Sequence, residues 1–135
     1  MFPLGVDMKY LAILMLVVGS LVAYSQTQQP EQVCLSMVLI RATETDTPAQ
    51  VNEARHKVEQ VRNSVQTGSS FSDLARANSQ GPAAAQGGAI GCFKRGVLSQ
   101  HLEDRVFKMQ VGEVSEVMHT RQGFVLLQVT EHKTP

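Results

Sequence analysis

The sequence predicts an α+β domain built on a small, mostly antiparallel sheet, and three observations carry that expectation. A short β-branched apolar run, Val33–Ile40, opens the globular part. A stripe of valines at helical spacing follows it. Two apolar runs around a polar loop then close the chain as a hairpin. Read in order, the elements are a strand, three helical segments, a strand, a helix and two strands.

Ahead of these elements, residues 1–25 carry the three-part pattern of a secretory signal. Lys9 supplies the positive charge, and Leu11–Val22 (LAILMLVVGSLV) the apolar stretch. Ala23-Tyr24-Ser25 supplies small residues around a cleavage point after Ser25. A membrane span needs about 20 apolar residues, more than this stretch offers. The expectation is therefore an exported protein, periplasmic or extracellular. Met8-Lys9 is a more usual beginning for such a signal than Met1–Asp7, so both starts stay open. Residues 26–32 (QTQQPEQ) read as a flexible polar lead-in to a domain over 33–132.

Val33–Ile40 (VCLSMVLI) reads as a strand buried on most sides. A helix start is marked by Thr47 as cap, Pro48 at the first helical position and Gln50 completing a capping box. Val51, Ala54, Val58, Val61 and Val65 then recur at alternating spacings of three and four, giving an amphipathic helix closed by Gly68. Ser72 is expected to cap a second, short helix carrying Leu74, Ala75 and Ala77. Gly81-Pro82 opens an alanine-rich turn that stops at Gly87-Gly88. Ala89–Phe93 reads as a strand, and Gln100–Met109 as a helix with Leu102, Val106 and Met109 on one side and Phe107 beside them. Val114–His119 and Phe124–Thr130 read as strands around a loop at Thr120-Arg121-Gln122-Gly123.

Composition narrows the function classes. Lys+Arg and Asp+Glu are 12 each, so the chain lacks the basic footprint of a nucleic-acid binder or a polybasic membrane-surface protein. Aromatics are only 5%, so the core must be aliphatic. His56, His101, His119 and His132 show no metal-ligand spacing, and neither a metal site nor a cofactor is expected. Gly87-Gly88-Ala89-Ile90-Gly91 runs from helix to strand, whereas a phosphate cradle needs strand to helix. Cys92 near Lys94-Arg95 reads as a packed or oxidised strand cysteine in preference to an activated thiol.

From Phe71 onward the chain resembles the parvulin (rotamase) family of peptidyl-prolyl cis-trans isomerases. The resemblance runs through Phe71-Ser72-Asp73-Leu74-Ala75, Ser79-Gln80-Gly81-Pro82 and Gly87-Gly88-Ala89-Ile90-Gly91-Cys92-Phe93. It continues through Arg95-Gly96, Leu102-Glu103-Asp104, Phe107, Val111-Gly112-Glu113-Val114-Ser115 and Thr120-Arg121-Gln122-Gly123-Phe124. These correspond in order and spacing to the family's signposts, and with the first strand they cover about residues 33–132. The resemblance implies a βα3βαβ2 fold with a four-stranded, mostly antiparallel sheet. It also implies an apolar proline pocket at Leu98, Leu102 and Phe107.

The family's polar layer is largely replaced. Its two strand histidines fall on Met37 and Val125, its Asp or Cys falls on Gly81, and Thr120 alone remains as a catalytic candidate. Met37 and Val125 then join the substrate-binding surface as an apolar floor. Of the basic cluster that marks phosphate-directed members, only Arg41 stands here, followed by Glu44 and Asp46. The resemblance places the first strand antiparallel to Ala89–Phe93, which brings Cys34 toward Cys92 as a disulfide or as two buried thiols. The implied partners are proline-containing unfolded or extended polypeptides, without phosphate-specific recognition; the oligomeric state stays open, with a monomer as the expectation. Three classes of function follow: a weakened exported isomerase, a non-catalytic chaperone or peptide-binding module using the same groove, and a structural docking domain.

Overall fold

The computed structural model describes residues 29–135. The signal expected over 1–25 lies outside the described residues, as do residues 26–28 of the lead-in expected over 26–32, whose last residue, Gln32, already belongs to the first strand. The described chain forms β1 (Gln32–Arg41), α1 (Pro48–Gln66), α2 (Phe71–Asn78), a 3-10 turn (Ala84–Gln86), β2 (Ala89–Lys94), α3 (Gln100–Val106), β3 (Met118–Thr120) and β4 (Gly123–Lys133). The sheet order is β2-β1-β4-β3 and every pairing is antiparallel. This is the expected α+β architecture, with the third helical segment reduced to a single 3-10 turn.

β1 and β4 are the long central pair, in register from Gln32 opposite Lys133 to Arg41 opposite Gly123, with one irregularity between Cys34 and Leu35. Their alternating side chains serve two cores, because successive strand residues point to opposite faces. On one face Val38, Ile40, Phe124 and Leu126 meet Ala54, Val58 and Val61 of α1 and Phe71 and Ala75 of α2. On the other Val33, Leu35, Leu39, Val125, Leu127 and Val129 meet Val106 at the end of α3. Leu98, Leu102, Phe107 and Met109 pack against this second cluster from its edge.

The local signals explain where the helices begin. Thr47 caps α1: its hydroxyl accepts from the Gln50 N–H at 3.3 Å, and the Gln50 side chain accepts from the Thr47 N–H at 2.8 Å. α2, by contrast, starts two residues earlier than the sequence suggests. Ser70, not Ser72, is the cap, accepting from the Asp73 N–H at 3.3 Å. Burial of Phe71 in the α1 core holds that residue in the first helical turn, which leaves Ser72 inside the helix.

Three boundaries expected near the C-terminus also shift. α3 ends at Val106, and Phe107 to Met109 continue in a tight turn where Lys108 and Met109 donate to the carbonyls of Arg105 and Val106. Val114 makes only an isolated bridge to Gln128, so the strand expected from there begins at Met118. Ser115 is the reason. Its hydroxyl accepts from the Leu127 N–H at 3.0 Å and donates to the Glu116 carbonyl, so one of the two ladder bonds goes to a side chain while the Ser115 N–H still donates to the Leu127 carbonyl at 2.8 Å. The hairpin itself turns through Arg121 and Gln122 alone, since Thr120 already pairs with Gly123.

Candidate active site

β2 pairs with β1 only from Gln32 to Ser36, so the remaining edge of β1 needs other partners. The segment between α2 and β2 supplies them. The Met37 N–H donates to the Gly88 carbonyl at 2.8 Å, the Gln80 N–H to the Leu39 carbonyl at 2.7 Å, and the Arg41 N–H to the Gln80 side chain at 2.6 Å. The Leu39 N–H donates to the Ser79 hydroxyl at 3.1 Å. This lacing brings Gly81 against Met37: a β-carbon on Gly81 would stand 3.5 Å from the Met37 methyl, in ordinary contact.

An open groove of about 610 Å³ runs over the second core, between α3 and the exposed face of the sheet. Met37 and Val125 form its floor, and Leu98 and Leu102 one wall. Thr120 stands at the hairpin end, where its hydroxyl donates to the Gly123 carbonyl at 3.0 Å and accepts from the Gln122 N–H at 3.2 Å. Its one proton is therefore engaged within the hairpin. The structure brings together Met37, Val125, Leu98, Leu102 and Thr120, with Gly81 beside Met37.

Phe107 does not join the groove lining. It follows α3 and its ring lies under the Arg95 guanidinium, 4.1 Å from centroid to carbon. Arg95 is also held by Glu31 at 2.7 Å and faces Glu103 at 3.9 Å, while the Gly96 N–H donates to Glu103 at 2.7 Å. Phe107 packs with Leu98 and Leu102 against the second core and stands beside the loop that carries Leu98. Ile90 of β2 and Met118 of β3 line the groove without having been singled out in the sequence. Their places depend on strand register, and the apolar character of Ile90 within Ala89–Phe93 is the only local signal.

Cys34 and Cys92 face each other directly in the β1–β2 register and are joined by a disulfide. The bond ties the edge strand that carries Ile90 to the central strand that carries Met37.

A family model described as a PPIC-type PPIASE domain matches residues 20–133. The chain is 41% identical over 102 residues to a protein named Chaperone SurA from Cupriavidus pinatubonensis, covering 75% of this chain and 20% of that protein. It spans about a fifth of the length of that curated relative. Among solved structures it is similar to a PpiC-type peptidyl-prolyl cis-trans isomerase domain, at 27% identity and a TM-score of 0.60, over 78% of this chain and 94% of that one. The parvulin domain of PpiD from E. coli shares the fold at 19% identity and a TM-score of 0.62, over 80% of this chain and 93% of that one. With the sheet order, the helix positions and the family model in agreement, the chain belongs to the PpiC-type, or parvulin, peptidyl-prolyl isomerase domain family.

Proposed function

We propose that the groove receives proline-containing extended segments of exported polypeptides and lowers the barrier to X-Pro isomerisation chiefly by apolar contact. One observation carries this reading: Met37, Val125, Leu98, Leu102 and Ile90 converge on one open groove of about 610 Å³. Rotation about an X-Pro bond crosses about 18–20 kcal/mol because it breaks amide resonance. The planar amide is more dipolar than the twisted one, so an apolar surface disfavours the ground state relative to the transition state. No nucleophile, metal or cofactor is needed. Each tenfold in rate takes only about 1.4 kcal/mol.

The polar contribution from the family's own motif positions is small here, and the polar groove residues stand elsewhere, His101, His119, Ser99 and Gln122 among them. Gly81 offers no side chain, Met37 and Val125 no hydrogen bond, and the Thr120 proton is held by Gly123. A weakened isomerase is the consequence. The same observation favours a second reading, a chaperone-like module that binds prolyl segments without measurable turnover. The Cys34–Cys92 disulfide supports residence in an oxidising compartment, in keeping with the signal pattern of residues 1–25. Glu44 and Asp46, in the loop after β1, support substrates without phosphate.

A protease-coupled prolyl assay at micromolar protein decides between the readings. A rate above the spontaneous one supports the isomerase. Peptide binding without acceleration supports the binding module, and absence of binding overturns both. The combined substitution Met37→His and Val125→His tests whether the polar layer limits the rate; the expected gain is about tenfold or more. No gain in a folded variant would reject that cause.

A further inference from the structure

The groove does not end at Leu102. A second cavity of about 400 Å³ continues from it, sharing Leu102, Arg105, Glu116, Met118 and Leu127 as lining. Its distinguishing residue is Arg62, which reaches over from α1 on the opposite side of the sheet edge. The Arg62 Nε–H donates to the Ser115 carbonyl at 3.2 Å, which fixes the plane of a half-buried guanidinium. Its terminal amines hold no hydrogen bond among the described residues. Arg105, on α3, faces Glu116 at 3.9 Å, but both side chains are exposed and the pair is too open to saturate the guanidinium. Glu113 also lines the cavity, with one oxygen turned to the Gln110 N–H at 2.8 Å and no bond to either arginine among the described residues, and Glu59 borders Arg62 only from a separate shallow depression.

We infer that this continuation is a carboxylate subsite, which takes an acidic side chain carried by the same polypeptide whose proline occupies the groove. Continuity with the groove supplies the route, and the unused guanidinium donors of Arg62 and Arg105 supply the partners for a carboxylate. Guanidinium groups bind carboxylates in paired, planar hydrogen bonds, and a fixed plane lowers the ordering cost of doing so. An incoming carboxylate takes the place of Glu116 against Arg105. The inference rests on the groove being the polypeptide site, and it adds a preference that the apolar floor cannot produce: acidic over neutral or basic residues at one offset from proline.

The test uses C-terminally amidated proline peptides, so that the only carboxylate is a Glu side chain moved stepwise along either flank. Each is paired with its Gln counterpart. At one offset the Glu peptide is expected to bind about fivefold more tightly than the Gln peptide at low salt, with the difference fading as salt rises. Arg105→Gln and Arg62→Gln should each bring that ratio close to one, whatever they do to neutral-peptide binding. Arg105→Glu should favour a Lys peptide at the same offset. Equal binding of every Glu and Gln pair overturns the subsite while leaving the groove intact. So does a ratio unmoved by all three variants. If no proline peptide binds, the groove reading and the subsite fall together.

Discussion

The Ser79 hydroxyl accepts the Leu39 N–H at 3.1 Å and the Gly81 N–H at 3.2 Å, so one side chain holds both the open edge of β1 and the start of the loop beside Met37. Neither donor has a backbone partner there that could replace it. Ser79→Ala is expected to cost about 1–3 kcal/mol, the cost of leaving part-buried N–H groups unsatisfied. Urea unfolding measures it. A loss within error of zero would mean that the β1 edge is held by the flanking bonds alone.

Gly88 sits at φ +84, and a β-carbon there would collide with the Met37 carbonyl oxygen. Gly123, at φ +141, would collide with the Ile40 carbonyl oxygen. Both contacts are backbone to backbone and cannot be relieved by a rotamer. Gly88→Ala and Gly123→Ala should each destabilise by about 2 kcal/mol or more, combining a strained φ with a forced shift of β1. Gly96→Ala, with an open surrounding and a comparable φ of +87, should cost less. Parallel thermal melts give the ranking.

The Cys34–Cys92 bond spans 58 residues of sequence. Closing a loop of that length restrains the unfolded chain by about 4 kcal/mol on the chain-entropy model. Cys34→Ser with Cys92→Ser is expected to lose about 2–4 kcal/mol, and reductant should lower the stability of the native protein but not of the variant. Thiol titration of the unfolded, unreduced protein should find no free thiol. Two titratable thiols would exclude the bond.

Arg95 reaches no part of the groove, yet it joins Glu31, Glu103 and the Phe107 ring beneath the loop that presents Leu98. Arg95→Ala should weaken prolyl-peptide binding by about two- to fivefold through loss of that positioning. Global stability should fall by less than about 1 kcal/mol, since the Arg95 side chain is about half exposed and its charge is screened by water. Leu98→Ala, which removes a groove contact directly, should weaken binding by about tenfold. Equal affinities in all three proteins would remove the wall at Leu98 from the site.

What the sequence revealed of this structure divides by range. Thr47, Pro48 and Gln50 announce α1 because a capping box closes within three residues, and the valine stripe needs only one helix to read. Ser70 and Ser72 are locally equivalent caps, and the choice falls to Phe71, whose burial against α1 is a tertiary fact. The strand from Val114 failed for a related reason: Ser115 trades a ladder bond for a side-chain bond to Leu127, twelve residues away. In the groove, Met37, Val125 and Thr120 were traceable through motif positions. Ile90 and Met118 enter only through register, and Phe107 packs on the same cluster as Leu98 and Leu102 with Arg95 over its ring.

Gln32 and Lys133 lie opposite each other at the outer end of the central pair, so the described domain takes in and releases its chain at a single corner. Force applied through the two ends would peel β1 from β4 one residue pair at a time, beginning at that corner, rather than shear the whole ladder at once. The pairs under the groove, Met37 with Leu127 and Leu39 with Val125, lie deeper along the seam. A tug from flanking sequence would therefore meet the Cys34–Cys92 staple before it reached the peptide floor.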